Sequence, residues 1–210
     1  SDLAPGRVVG KATKQFTLKQ QVRVKGGEQY LTFIDAVLEG KSAEPNFKDY
    51  DFKIYDDISQ MVSDIKTQDK AHSLARLVAG YAWKWESRND PTKHDIEIDG
   101  ERLRWNSQLS DWVNSPNALN EVGCIHTIQG YDLNYAGVII GPELKYDPVT
   151  KELVVDRSKY KDNNGHRGVH DPVELKRYIV NIYKTLMTRG IIGTYVYAVD
   201  HNLRAYLKEC

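Results

Sequence analysis

The stretch CIHTIQGYDLNYAGVIIG, residues 124–141, decides the fold class of this chain. An apolar strand runs into a His-Thr pair, a polar turn on Gln-Gly and Asp follows, and a second apolar strand begins directly afterwards. Short apolar strands that alternate with helices predict an α/β fold with a mostly parallel sheet covered on both faces. Because ligands of open α/β sheets bind beyond the carboxyl ends of the strands, this polar turn is predicted to carry function.

The strongest helix pattern covers residues 172–189. Asp171 is suited to cap the first turn, Pro172 fits the first helical position, and Gly190 is expected to end the helix. Apolar residues recur at the spacing of one helical face: Leu175, Tyr178, Ile179, Ile182, Tyr183 and Leu186.

The remaining pattern predicts one domain over residues 21–210, preceded by a leading segment over residues 1–20. Alternating or continuous apolar runs predict strands at 16–24, 49–57, 74–85, 121–127 and 191–199, with a short strand before Gly100. Further helices are expected at 28–39, 57–66 and 201–209. Residues 86–120 are expected to be rich in loops, and 143–170 to form an inserted β-hairpin.

Composition excludes several classes of protein. The chain has 210 residues, with 29 Lys and Arg against 29 Asp and Glu, so its net charge is zero and any contact with nucleic acid must be local. Two cysteines, Cys124 and Cys210, do not suggest a disulfide framework. No apolar run is long enough to span a membrane. We therefore expect a cytoplasmic α/β protein with free thiols and no membrane contact.

Two places offer chemistry suited to phosphate. In the polar turn, Gly130 permits close backbone approach, while Thr127, Gln129 and Asp132 offer hydroxyl, amide and carboxylate groups near a helix start. At the end of the strong helix, Arg189 can hydrogen-bond the last helical carbonyls or extend from a rigid element to a phosphate. The residues alone leave both interpretations open.

The polar turn and the segment around Arg189 together resemble motifs of superfamily 1 helicases. CIHTIQGYDLNYAGVIIG is similar to motif V, YKTLMTRGIIGTYVYAVD (183–200) to motif VI, and LKQQVRVKGG (18–27), less specifically, to motif IV. The segments ARLVAGYAWKW, IHTIQGYDLNYAGVIIGPEL and NIYKTLMTRGIIGTYVY also closely resemble a bacterial family of Schlafen-like ATP/GTP-binding helicase domains. That resemblance covers about residues 12–208.

The resemblance implies the second RecA-like domain of an ATP-dependent helicase or translocase that acts on single-stranded DNA or RNA. It implies that Arg189 is an arginine finger and Arg23 a second phosphate-sensing arginine. The other implied contacts are with the nucleotide for Gln129, Gly130, Asp132 and Thr188, and with the nucleic-acid backbone for His126 and Thr127.

The phosphate-cradling loop of such enzymes is not found in the sequence. GRVVGKA (6–12) is one residue short, with Ala12 where a hydroxyl would hold magnesium, and DAVLEGKS (35–42) closes a helix and lacks the first glycine. The apolar run that ends at Asp200 is expected to be the last strand. ATP and Mg²⁺ are therefore expected to be held by a missing N-terminal ATPase domain, and this chain alone is expected to bind neither and to be inactive.

Several weaker signals leave alternatives open. His166 and His170 have metal-ligand spacing but no helix to enforce it, and Cys124 and His126 lack a third ligand, so no metal is predicted. Four tryptophans could stack on bases but more often fill a core: Trp83, Trp85, Trp105 and Trp112. The neutral charge favours a rival function, a regulatory NTPase or interaction module without strand translocation. A plain ligand-binding α/β domain is a third alternative.

Overall fold

Short strands and helices alternate along the chain, as predicted. The computed structural model describes residues 23–162, 169 and 171–210. The helices are α1 (Gly27–Leu38), α2 (Ile58–His72), α3 (Ile125–Ile128), α4 (Pro172–Met187) and α5 (His201–Glu209). The strands are β1 (Asp51–Ile54), β2 (Ala75–Ala79), β3 (Ile96–Ile98), β4 (Glu101–Trp105), β5 (Glu121–Cys124), β6 (Leu133–Ile140), β7 (Leu144–Asp147), β8 (Glu152–Val155) and β9 (Gly190–Ala198).

Seven strands form one sheet in the order β1-β9-β6-β2-β5-β4-β3. Every neighbouring pair in it is parallel except β3 and β4, which pair antiparallel at one edge. The strands β7 and β8 form a separate antiparallel hairpin within the predicted insertion. The prediction of an α/β fold with a mostly parallel, helix-flanked sheet is confirmed, and this architecture is consistent with a RecA-like domain.

Both faces of the sheet are covered, because successive side chains of a strand point to opposite faces. On the central strand β6, Val138 belongs to the apolar cluster that includes α1, α4 and α5. Its neighbour Ile139 belongs to the cluster on the other face, which is built around α2. Both side chains are fully buried, so β6 reads as a continuous apolar run in the sequence.

The start of α4 is as predicted, and its end is not. Asp171 Oδ1 accepts a hydrogen bond from Val173 N at 3.0 Å, and Pro172 is the first helical residue. The helix ends at Met187, however, and Gly190 is the first residue of β9. A Cβ on Gly190 would lie 2.1 Å from Gly193 O, so this glycine permits a close backbone approach instead of terminating the helix.

Other differences concern element bounds. The strand predicted at 121–127 stops at Cys124, and α2 continues to His72. The region 86–120 contributes β3 and β4, and β4 pairs with β5, so this region extends the main sheet. The predicted leading segment and most of the strand predicted at 16–24 lie outside the described residues.

The end of β5 and the start of β6 lie at opposite edges of the sheet. Cys124 is level with Ala79, and Ala79 is level with Ile139. Leu133, where β6 begins, precedes Ile139 by six residues, which corresponds to about 20 Å along the strand. Residues 125–132, the crossover segment, therefore run from the carboxyl edge of the sheet back to its amino edge.

This geometry corrects the expected location of the site. The polar turn was expected at the carboxyl edge, but only the start of the crossover segment, with His126, lies there. Asp132 directly precedes β6, and Arg189 directly precedes β9, where Leu133 and Gly190 are register partners. Parallel neighbours require such a return, because each strand must start at the same edge.

Candidate functional site

The one-turn helix α3 begins directly at the end of β5 because Thr127 caps it. Thr127 Oγ1 accepts a hydrogen bond from Cys124 N at 3.0 Å and contacts Cys124 O at 3.0 Å. The Thr127 residue is only 3% exposed. The structure thus gives Thr127 a capping role, and its burial does not support the predicted contact with nucleic acid. Because β5 ends at Cys124 and His126 belongs to α3, these two residues do not share a strand face.

The turn after α3 presents Gln129 and Gly130 to solvent. Gly130 has φ +88°, and no described residue lies within 4 Å of the position that a Cβ on it would take. Tyr131 N donates to Ile128 O at 3.1 Å and closes the turn. Glycine is therefore required here for its backbone conformation, and both predicted nucleotide contacts remain sterically open.

Three predicted residues come together at the amino edge. Arg23 Nε lies 2.9 Å from Asp132 Oδ1. The guanidinium of Arg189 lies beside this pair and donates through Nη1 to Tyr131 O at a long 3.4 Å. Residues far apart in the sequence thus form one group, which we call the arginine group (Arg23, Asp132 and Arg189).

Backbone hydrogen bonds fix the arginine group to the sheet. Leu133 N donates to Arg189 O at 3.0 Å, which joins the end of the crossover segment to the start of β9. Lys25 N donates to Ile191 O at 2.9 Å and holds the segment that follows Arg23 against the same strand. The positions of the two arginines are therefore set by the rigid part of the fold.

The electrostatics of the group favour an anion. Burial lowers the pKa of Arg189, the nearby charge of Arg23 lowers it further, and Asp132 opposes the shift. Arginine remains protonated at neutral pH despite such a shift. Arg189 Nε is buried and has no hydrogen-bond partner among the described residues. Two guanidinium groups with one carboxylate leave a net positive charge, which suits a phosphate group.

Thr188 is placed next to this group, but its hydroxyl is used within α4. Its Oγ1 lies 2.9 Å from Lys184 O and 3.2 Å from Thr185 O, so it donates to the carbonyls at the end of the helix. This contact orients the peptide that leads to Arg189. The hydroxyl does not face the arginine group, so its predicted contact with a nucleotide is not supported by this conformation.

His126 lies at the opposite, carboxyl edge. Its imidazole is exposed, with Nε2 3.5 Å from Asp162 Oδ2 and the ring centre 5.8 Å from that of Tyr81. Asp162 is buried and was missed in the sequence, because nothing in its charged tract indicates a partner in the motif V segment. The two predicted contacts, with nucleotide and with strand, therefore fall at the two ends of the crossover segment.

The segment 35–42, which ends in Gly-Lys-Ser like a phosphate-cradling loop, lies at the end of a helix. Gly40 comes after the end of α1, and Lys41 Nζ pairs with Glu39 Oε2 at 2.6 Å. The other such segment, 6–12, lies outside the described residues. Asp200 Oδ1 accepts from Leu203 N at 2.8 Å and so caps α5 at the end of the last strand.

Within 23–162, 169 and 171–210, no group of three or more His, Cys, Asp or Glu side chains could hold a metal ion. Cys124 and Cys210 are free thiols. The His166 and His170 pair lies outside the described residues. None of the helices in the described part of the chain is long and apolar enough to cross a membrane.

Comparison with known proteins adds the family. The family model for the Schlafen group 3, DNA/RNA helicase domain matches residues 7–200. This chain belongs to that family. The uncharacterized protein YPL245W of Saccharomyces cerevisiae is 33% identical over 221 residues, which cover 94% of this chain and 48% of the yeast protein. No solved structure matches the chain.

Membership of the Schlafen group 3 family confirms the family resemblance seen in the sequence and indicates a helicase-like role. The yeast relative shows that the similarity is not confined to bacterial proteins. The Schlafen group 3 chain spans about half the length of the curated relative that it matches.

Proposed function

We propose that this Schlafen group 3 domain is the second RecA-like domain of an ATP-dependent nucleic-acid helicase or translocase. It supplies an arginine finger and motif V contacts to ATP that is held mainly by a separate, P-loop domain of the same protein. The observation that carries the proposal is the arginine group, in which Arg189 and Arg23 meet Asp132 at the amino edge of β6 and β9.

The chemistry of phosphoryl transfer explains why this group is suitable. Negative charge spreads over the oxygens of the γ-phosphate in the transition state, and fixed cationic donors stabilise it. Arg189 is half-buried and is attached to the junction of α4 and β9. Arg23 is held by Asp132 and is the second cation. Mg²⁺ and the phosphate-cradling loop would come from the P-loop domain.

The strand contact is proposed at the other end of the crossover segment. His126 is exposed there, and a single strand of DNA or RNA is the proposed partner. Eight residues, 125–132, connect this contact with the arginine group. A nucleotide that moved Asp132 would therefore act on the segment that carries His126.

A regulatory NTPase without strand translocation is the alternative function. The observation in its favour is the net charge of zero, which provides no general attraction for nucleic acid. In that case ATP would switch contacts with another protein. The arginine group would have the same chemical role in both cases, so the two proposals differ only in the effect of nucleic acid on hydrolysis.

ATP hydrolysis by the full-length protein, with and without single-stranded DNA or RNA, tests both parts. We expect stimulation by a single strand and a loss of about a thousandfold or more in Arg189→Ala. Arg177→Ala, an exposed arginine on α4, is the matched control and should retain activity. Thermal unfolding checks that each variant folds. Unstimulated hydrolysis would favour the regulatory alternative, and full activity of Arg189→Ala would overturn the finger assignment.

A further inference from the structure

A cavity of about 500 Å³ opens at the carboxyl edge beside His126. Small-ligand sites in proteins occupy about 300–1,000 Å³, so this cavity can hold a group of that size. Besides His126, its lining includes the aromatic side chains Tyr81, Trp83 and Trp85 and the cations Lys84, Arg88 and Lys161. The lining contains three cations and one carboxylate, that of Asp162. The cavity therefore carries a net positive charge, although the net charge of the whole chain is zero.

The aromatic side chains lie on the extended segment that follows β2, and this segment is fixed at both ends. Lys161 N donates to Tyr81 O at 2.7 Å. Ser87 donates through its backbone N to Asp95 Oδ1 at 2.7 Å and through Oγ to Asp95 Oδ2 at 2.5 Å. Asp95 itself is buried. A lining fixed in this way loses little conformational freedom when a ligand binds.

The four tryptophans divide into two kinds. Trp105 and Trp112 are fully buried and belong to the core, which is the more common role. Trp83 and Trp85 are only partly buried and line the cavity. The Trp105 ring supports this surface from below, with its centre 5.4 Å from that of Tyr81 and 6.4 Å from that of Trp83. Partly exposed rings on a fixed base are available for stacking.

A second cavity, of about 420 Å³, adjoins the first and shares Trp85, Arg88 and Leu109 with it. The guanidinium carbon of Arg88 lies 5.6 Å from the centre of the Trp85 ring, so this cation stands beside an aromatic face. Arg104 and Glu121 also line the second cavity, so their charges offset each other and Arg88 supplies the remaining positive charge. Adjoining cavities that share an indole and a guanidinium place an aromatic face and a cation side by side, which are the two contacts that a single strand offers partners for.

We propose that the first cavity takes an unstacked base of single-stranded nucleic acid, with Trp83 as the stacking surface and Lys84 and Arg88 as phosphate contacts. Aromatic faces select for planar bases, while the surrounding cations select for a polyanion, and the combination distinguishes this ligand from an apolar one. This inference rests on the proposed function, because it names how the strand near His126 is held.

Binding of two labelled oligonucleotides to the full-length protein tests it. One is an oligothymidine and the other has the same backbone with abasic sites in place of the bases; an oligouridine arm distinguishes RNA from DNA. We expect Trp83→Ala to weaken binding of the base-containing strand about tenfold and to leave binding of the abasic strand unchanged. Trp83→Phe, which keeps an aromatic face, should retain most of the affinity.

Lys84→Ala is the control for phosphate contact. It should weaken both strands equally and reduce the salt dependence of binding, because it removes a charge and leaves the aromatic faces. If the wild-type protein binds neither strand, the proposed function and this inference both fail. If it binds them but Trp83→Ala affects both equally or not at all, only the stacking cavity is overturned.

Discussion

Arg23 Nε and Asp132 Oδ1 lie 2.9 Å apart, with side chains that are 49% and 39% exposed. An ion pair with this much exposure to water contributes only about 0–1 kcal/mol to folding. Stability alone therefore does not explain why the pair lies beside Arg189. The pair holds the guanidinium of Arg23 close to that of Arg189, although the two positive charges repel each other. Under the proposed function, this pair keeps two cations in position for a phosphate.

Asp132→Asn separates this role from stability. We expect the free energy of unfolding in urea to change by less than about 1 kcal/mol, because the pair is half-exposed. ATP hydrolysis by the full-length protein should fall, since Arg23 loses the partner that holds it beside Arg189. Glu39→Gln, which breaks the exposed pair with Lys41, is the control and should alter neither quantity. Unchanged hydrolysis in Asp132→Asn would refute the assigned role.

Thr127→Val should destabilise the fold, because the variant cannot bond Cys124 N or Cys124 O. We expect a loss of about 1–2 kcal/mol in the free energy of unfolding, measured in urea. Thr127→Ser keeps the hydroxyl and should recover most of it. Thr67→Val, at an exposed hydroxyl on α2 that bonds Ser63 O, should change stability much less. Equal effects at Thr127 and Thr67 would contradict the capping role.

Glu143 is a buried acid that the proposed mechanism does not use. It is fully buried after β6, Tyr183 donates its hydroxyl hydrogen bond to Oε1, and Oε2 has no partner among the described residues. Burial raises the pKa of Glu143 from 4.5 to about 7, and the Tyr183 hydrogen bond opposes this shift. The folded protein therefore keeps the proton at pH values where the unfolded chain has lost it.

This difference predicts how stability depends on pH. The contribution of neutral Glu143 is fully present below about pH 4.5 and is lost as pH rises to about 7, with a slope of up to about 1.4 kcal/mol per pH unit. Glu143→Gln, which stays neutral, should lack this component of the slope. Urea unfolding of both proteins at several pH values across this window measures it. Parallel slopes would show that Glu143 does not titrate on unfolding.

The elements with strong local signals were predictable from the sequence. The cap at Asp171, Pro172 and the apolar face of α4 are local features, and the buried strand β6 is a continuous apolar run. The strand β4 was missed because its sequence, ERLRW, mixes three charged residues with two apolar ones. Its position in the sheet depends on pairing with β5, which no local pattern reveals.

The sequence predicts candidate residues for the site more readily than their arrangement in space. Arg23, Asp132 and Arg189 lie together, and each is a residue to which the family motifs imply a role at the nucleotide. The edge at which they lie depends on the register between β2, β5 and β6, and register is a property of paired strands. Thr127 looked available in the sequence, yet its burial follows from a bond to the backbone three residues earlier. The pairing of His126 with Asp162 is likewise a tertiary contact.

The crossover segment also has little length to spare. Four of its residues are helical and advance about 6 Å, and a tight turn at Gly130 shortens the rest, while the strand offset to be covered is about 20 Å. All the residues between His126 and Asp132 are needed to span this distance. A displacement at one end must therefore be taken up by α3 itself or by the backbone of Gly130, which makes this segment a stiff connection and sets a narrow tolerance for insertions within it.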